Sequence, residues 1–300
     1  MSSRVSFAAG IALCLGLNLI VPPTACADDT PASATPAEAA RPWIVDQDLA
    51  KAVWTDIQSG GILTVATHVS DMEKSLSNAN QSIEAARSNK GTSYVLTDGP
   101  TDSLLQMTVM AAAEEKAGKA VHVVAVDNPY PAIGFYLGSY YNETDKFDDA
   151  VRVLDEGLAS SGMKGLGLSV GAHDAALLSE KGAALVGLKR WPDALASYDA
   201  ALKIDDLDDA MRAHVLRGRG YALTELNRLD EAEQAYNDSL KYEPGNARAR
   251  SELRYIAGLR AGSQPIASSG LAPLQSHPAP PAAATPAPSS QPAPSTAPTN

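Results

Sequence analysis

A short pattern occurs three times in the second half of this chain, and it constrains the fold more than any other feature. Each copy places an alanine twelve positions after a glycine: Gly138 and Ala150, Gly182 and Ala194, Gly220 and Ala232. Self-similarity of this kind indicates repeated units, each of which buries its apolar face against the next. The sequence therefore predicts a repeat architecture, which is typical of a binding scaffold rather than of a catalyst.

The spacing inside each copy predicts a pair of helices. In the third copy, small and apolar residues recur at helical spacing on both sides of a polar turn at 227–230. Acidic residues open every second helix, where they stabilise the positive end of the helix dipole. A glycine inside a helix costs roughly 1 kcal/mol relative to alanine. The three glycines are therefore best explained by close helix packing, where no side chain fits.

These units resemble tetratricopeptide repeats, which have a small residue in helix A, an alanine early in helix B and an aromatic residue four positions later. Tyr198 and Tyr236 supply the aromatic residue in two copies, Leu154 replaces it in the first, and Pro244 closes the third. The resemblance implies a mainly α chain with a three-unit array of helical hairpins, a superhelical solenoid. The units span 131–164, 175–208 and 213–246. The expected packing residues are Gly138, Ala150, Gly182, Ala194, Tyr198, Gly220, Ala232 and Tyr236. The glycine spacing is 44 and then 38 residues rather than the family's 34.

The resemblance also implies where a partner binds. In tetratricopeptide proteins the inner groove is lined by helix A, on the side away from the packing glycine. The matching positions here are Phe135, Ser139, Asn142, Ser179, Ala183, His214, Arg217 and Tyr221. Among them, Arg217 assisted by His214 could contact an anionic group. We therefore expect a peptide or protein partner held by modest apolar and polar contacts.

The first 27 residues have the pattern of a secretory signal. An apolar run at 5–21 follows Arg4, and Ala25-x-Ala27 is a small-residue cleavage site. Cleavage near Ala27 predicts a periplasmic or secreted protein, with an uncleaved anchor as one alternative and lipidation of Cys26 as another. Only lipidation at Cys26 would make a membrane the partner of the mature chain. Together with the Ala/Pro-rich linkers, this signal indicates an exported bacterial protein.

Charge and composition indicate which partners are excluded and which segments near the chain ends are not expected to fold. The formal net charge of −11 argues against nucleic acid as a partner, because such proteins need a basic face. Segments 28–42 and 263–300 are low-complexity, and the second has ten prolines and no charged residue, so disorder is expected in both. The run at 247–262 contains four arginines and predicts a capping helix. A membrane-surface helix is the alternative for that run.

Residues 43–130 are neither repeat nor linker. Apolar residues at alternating spacings of four and three predict one long amphipathic helix at 62–88, after a shorter helix at about 45–58. Strand-like runs at 94–97 and 121–126 flank a further helix and suggest a small α/β element. Two strands make a meagre sheet. They could also pair across a dimer or with a partner strand, and the sequence leaves these alternatives open.

No catalytic constellation accompanies these elements. The histidines lack metal-ligand spacing, and neither a phosphate-binding loop nor a Gly-x-Ser-x-Gly motif occurs, so no cofactor or metal is predicted. The sequence predicts a non-catalytic adaptor. One alternative is a structural subunit that dimerises through the 62–88 stripe. Another, less favoured, is an enzyme with its site in 94–126.

Overall fold

The computed structural model describes residues 41–87, 92–98, 100–116, 122–161, 172–205 and 207–263, and most of them are helical. The helices are α1 (Pro42–Gly60), α2 (Val69–Ser77), α3 (Ala79–Arg87), α4 (Pro100–Lys116), α5 (Tyr130–Glu143), α6 (Phe147–Ala159), α7 (Ala172–Gly187), α8 (Trp191–Leu202), α9 (Asp209–Glu225), α10 (Leu229–Tyr242) and α11 (Ala247–Arg260). The strands are β1 (Thr92–Thr97) and β2 (His122–Asp127), and a 3-10 helix covers Ile62–Thr67.

Six of the helices form three hairpins that stack in chain order. The pairs are α5 with α6, α7 with α8, and α9 with α10. The first helix of each later hairpin packs on both helices of the hairpin before it, and α11 packs on α10. This is a tetratricopeptide-like arrangement, in which every unit is covered by its neighbours.

The three hairpins turn in the same way. Asp145, Lys189 and Asn227 each have a φ of 57–58°, in the left-handed region, and each lies seven residues after the packing glycine. The next residue donates its backbone N–H to the carbonyl five positions earlier, at 2.8–2.9 Å in all three copies. These bonds form the helix-terminating motif that normally favours glycine at the left-handed position. The repeat is therefore a repeat of backbone geometry as well as of sequence.

Close packing explains the three helical glycines. A Cβ atom built on Gly138 would lie 2.4 Å from the Leu154 side chain, and one on Gly182 would lie 2.6 Å from the Tyr198 ring. The third copy places Gly220 against Tyr236 in the same way. The alanines at 150, 194 and 232 are fully buried. Leu154 thus fills, in the first hairpin, the space that a tyrosine ring fills in the other two.

The predicted single helix at 62–88 is wrong, because the segment folds as the 3-10 helix followed by α2 and α3. The breaks fall at His68 and Asn78, whose carbonyls begin the next helices. Hydroxyl groups at Thr64, Thr67 and Ser77 hydrogen-bond to backbone carbonyls three residues earlier and compete with helix continuation.

The apolar stripe itself is kept, and it is covered by the same chain. Val65, Met72, Leu76, Ala79 and Ala86 are at most 3% exposed. The 3-10 helix and α2 pack on α5, while α3 packs on α1 and β1. These side chains are therefore core, and in this structure they do not form an exposed dimer seam.

The two strands are parallel, with Thr92 opposite His122 and Thr97 opposite Asp127. One face of this sheet packs on α4, where the Thr97 and Ser103 hydroxyls lie 2.7 Å apart. On the other face the ring of Tyr94 lies 5.5 Å from that of Trp43 in α1, and β1 also packs on α3. The α/β element expected from the sequence is therefore a small three-layer unit ahead of the repeats.

The predicted linker at 28–42 ends earlier than expected, because α1 begins at Pro42, whose missing N–H is no loss in a first helical turn. The predicted signal peptide with Cys26, the rest of that linker and the predicted tail beyond Ser263 lie outside the described residues.

Candidate functional site

The eight predicted groove residues fall into two groups in the structure. Those on α5 and α7 are mostly buried: Phe135, Ser139, Ser179 and Ala183 are 7%, 2%, 1% and 8% exposed. These side chains are enclosed where the neighbouring first helices pack together. The partly exposed members are Asn142 and the three residues on α9. The partly exposed groove positions therefore lie mainly at the C-terminal end of the repeats.

Asn142 joins the first two repeats through a buried carboxyl group. Its Nδ2 donates to Oε2 of Glu180 at 2.9 Å and to the Glu180 carbonyl at 3.0 Å. Glu180 is 1% exposed, and burial raises the pKa of its carboxyl to about 7, against the lowering effect of Asn142. Sequence reasoning missed Glu180. The sequence signal that could have identified it is that Glu180 is an acidic residue within the mostly apolar α7.

The three groove residues on α9 lie on one face of that helix, one turn apart. Nη1 of Arg217 donates to Oε2 of Glu243 at 2.5 Å, and Asn246 donates to the same oxygen at 2.8 Å. Arg217 is therefore already paired within the chain. Burial, with Arg217 and Arg248 nearby, lowers the pKa of His214 to about 4. The imidazole is neutral at pH 7 and adds no positive charge to this end of the repeats.

Helix α11 completes this surface with residues that the groove pattern did not include. Arg248 and Glu252 lie close enough to Tyr221 to influence its pKa, which burial raises to about 12. The Tyr221 ring also meets the Trp191 ring edge-on at 6.2 Å. All of these side chains, the tryptophan included, are partly buried rather than enclosed. The following six residues are called the α9–α11 face: His214, Arg217, Tyr221, Arg248, Glu252 and Tyr255.

A separate cleft of about 490 Å³ lies between α6, α7 and α8. Its lining is apolar apart from Ser197, whose hydroxyl donates to the Leu178 carbonyl at 2.8 Å, and charged side chains that are already paired. Lys181 contacts Asp155 at 2.6 Å, and Arg190 contacts Asp193 at 2.8 Å. We therefore place the candidate site on the α9–α11 face.

The α/β unit offers little chemistry in its described part. No group of three His, Cys, Asp or Glu side chains there, or elsewhere in the described residues, could hold a metal ion. Asp98, just after β1, accepts a hydrogen bond from Ser161 at 2.9 Å, which ties the end of this strand to the segment that follows α6. Within the same residues, no helix combines the length and apolar character needed to span a membrane.

Comparison with known proteins finds similarity at the level of structure. No protein-family model matches the sequence, and no curated protein matches it. The first TPR domain of human RPAP3 is 22% identical with a TM-score of 0.38, over 44% of this chain and 94% of that domain. The first TPR of Spaghetti (RPAP3), solved with the HSP90 peptide SRMEEVD, is 23% identical with a TM-score of 0.38, over 45% and 97%. The second TPR domain of human RPAP3, solved with the HSP70 peptide SGPTIEEVD, is 24% identical with a TM-score of 0.35, over 42% and 98%.

Proposed function

We propose that this protein is an exported, non-catalytic adaptor that binds a peptide or protein segment on the α9–α11 face. The observation that carries the proposal is a contrast between equivalent positions of the repeats. On α5 and α7 every groove position except Asn142 is enclosed, whereas on α9 all three are partly exposed and are joined by polar and aromatic side chains of α11. Aromatic rings beside polar groups are the side chains that protein-binding surfaces favour.

The chemistry of the face describes the ligand. Arg248 and Glu252 place opposite charges beside the tyrosine rings, and Arg217 is neutralised by Glu243. Such a surface suits a peptide of mixed polarity with an apolar side chain that packs against the tyrosine rings. Because the face is small, we expect micromolar affinity.

Export is supported by the sequence alone, through the apolar run at 5–21 and the Ala25-x-Ala27 site. A protein cleaved there begins at Asp28 and works in the periplasm or outside the cell. Intact mass measurement of fractionated native protein tests this. A soluble species beginning at Asp28 is expected, and an acylated species beginning at Cys26 would place the adaptor on a membrane instead.

A photo-crosslinking amino acid at Tyr221 tests the binding face in its natural compartment. Cross-links from position 221 to another polypeptide are expected, whereas the same group at Tyr242, which is 39% exposed on α10, should give few. Equal yields from both positions would contradict the proposal.

A matched pair of arginine variants then tests the chemistry. Arg217→Glu should reduce the cross-link yield from position 221. Arg219→Glu should leave it unchanged, although Arg219 lies on the same helix and has an ion pair of its own, 2.7 Å from Asp199. If both variants behave alike, the effect belongs to helix stability rather than to binding.

A further inference from the structure

The two-stranded sheet has an open edge at β2. The inner residues of β1 are mostly buried, whereas Val123 to Val126 of β2 are all only half-buried. Asn128 donates its backbone N–H to the Thr97 carbonyl at 2.9 Å, so even-numbered residues of β2 face β1. The odd-numbered residues Val123 and Ala125 therefore direct their N–H and C=O groups outward. No backbone group in the described part of the chain bonds to them.

The sequence of β2 does nothing to protect this edge. Protein edge strands are usually blunted by proline, lysine, a bulge or a covering element. The strand reads His-Val-Val-Ala-Val-Asp, without proline, glycine or lysine. Parallel strands are normally buried on both faces, and two strands alone are marginal. The strand is thus suited to an interior position that the described part of the chain does not provide.

We propose that β2 of a second copy of this chain pairs with this edge, so that two copies form one four-stranded sheet in the order β1-β2-β2-β1. A two-fold axis perpendicular to the sheet makes the two β2 strands antiparallel and sets one residue opposite itself. Centring on Val124 lets Val123 and Ala125 of each copy exchange hydrogen bonds with Ala125 and Val123 of the other. This register leaves the Asp127 carbonyl to its existing bond from Gln47 at 2.6 Å.

Helix α4 carries an exposed apolar flank that fits this pairing. Ser103 and Gln106 turn toward the sheet, where Gln106 donates to the Leu96 carbonyl at 3.3 Å. At about 100° per residue, Leu104 and Met107 share one flank of the helix, and they are 72% and 36% exposed. In a right-handed crossover, the hand of about 98% of parallel β–α–β units, this flank lies on the β2 side.

The dimensions also agree. Because α4 packs across both strands, its axis lies about one strand spacing, roughly 4.8 Å, from a two-fold axis placed just outside β2. The two α4 helices would then run side by side on one face at about 10 Å, within the usual distance for packed helices. Met107 would lie nearer the two-fold axis, and Leu104 of each copy would pack along the α4 helix of the other.

The first experiment measures self-association of the full chain by sedimentation over a wide concentration range. A concentration-dependent dimer is expected. Leu104→Lys combined with Met107→Lys should weaken it by about tenfold or more, because two apolar contacts per copy are lost. Val109→Lys is the matched control, since Val109 is 40% exposed on the opposite flank of α4 and should leave the dimer unchanged. A monomer at every concentration, or equal weakening by both changes, would overturn the proposal.

A second experiment determines the register of the two β2 strands and does not depend on the affinity of the dimer. Opposed residues of a non-hydrogen-bonded antiparallel pair have Cα atoms about 4.5 Å apart, within disulfide reach. With Cys14 and Cys26 changed to serine, Val124→Cys should therefore form a disulfide-linked dimer. Ala125→Cys, which does not oppose itself in this register, should form far less. Similar yields from both, or a cross-link from position 125 alone, would refute the Val124 centre.

Discussion

At the scale of single residues, the ring of Tyr198 shows how tightly the repeats are packed. It lies between Gly182 of its own hairpin and Gly218 of the next, and a Cβ atom on either glycine would approach the ring within about 2.6 Å. Neither the ring nor the flanking backbone has room to move, because Tyr198 is 1% exposed. Both glycines are therefore needed because they have no side chain that would clash with the Tyr198 ring.

We expect Gly182→Ala to destabilise the protein by up to about 2 kcal/mol. Overpacking a core costs about 1–3 kcal/mol, which outweighs the gain of roughly 1 kcal/mol from alanine's helix propensity. Urea denaturation measures the change. Gly258→Ala is the control, because the nearest atom to its Cβ would be 3.5 Å away, and it should stabilise α11 slightly. Destabilisation by both substitutions would place the cause outside ring packing.

The buried carboxyl of Glu180 predicts a pH dependence of stability. Its folded pKa is raised to about 7 from an ordinary value of 4.5, so between these values the folded state holds a proton that the unfolded state has lost. The contribution of Glu180 to the free energy of unfolding is greatest below pH 4.5 and falls by roughly 3 kcal/mol as the pH rises to 7. Glu180→Gln should remove this fall, which unfolding free energies from pH 4.5 to 8 would reveal.

A substitution at Asn142 provides a second test of the Glu180 pKa. Its hydrogen bond lowers the pKa of Glu180, so Asn142→Ala should raise that pKa further and extend the fall in stability to higher pH. A Glu180→Gln variant whose stability followed the wild-type pH profile would show that Glu180 is not the group responsible.

At the scale of elements, the hairpin turns contain residues whose backbone conformation is usually adopted by glycine. Lys189 occupies a left-handed position at the end of α7 with a φ of 57°, although glycine is the usual residue there. Lys189→Gly should therefore stabilise the protein by about 0.5–1 kcal/mol. Leu188→Gly, one residue earlier, should destabilise it. Thermal unfolding of the pair measures both signs, and a loss of stability in Lys189→Gly would contradict the argument.

The elements also show which features a single sequence can predict. The repeats were predictable because Gly138, Gly182 and Gly220 mark the same packing contact three times. The breaks at His68 and Asn78 were not, because apolar spacings of four and three fit either one helix or a chain of short ones. Which groove positions are enclosed depends on how neighbouring helices meet, so the burial of Ser179 and the inclusion of α11 could not be derived from periodicity.

At the scale of the whole molecule, the N-terminal unit is joined to the repeats by a continuous core. The buried apolar residues form one contact cluster, which extends from Trp43 in α1 to Ile256 in α11. Two polar contacts reinforce the junction. The Tyr130 hydroxyl donates to Asp46 at 2.8 Å, and Arg152 of α6 contacts Glu73 of α2 at 2.7 Å. Repeat arrays often unfold in parts, but a shared core favours a single transition.

We therefore expect the N-terminal unit and the repeats to unfold together. Trp43 reports on α1 and Trp191 on α8, so variants in which one of these two is the sole tryptophan, with Trp54 also replaced, can be followed separately by fluorescence in urea. Their midpoints should coincide. Tyr130→Phe removes the donor to buried Asp46 and should lower both midpoints equally, by an amount equivalent to about 1–2 kcal/mol. A shift confined to the Trp43 signal would mean that the unit is only docked on the repeats and folds without them.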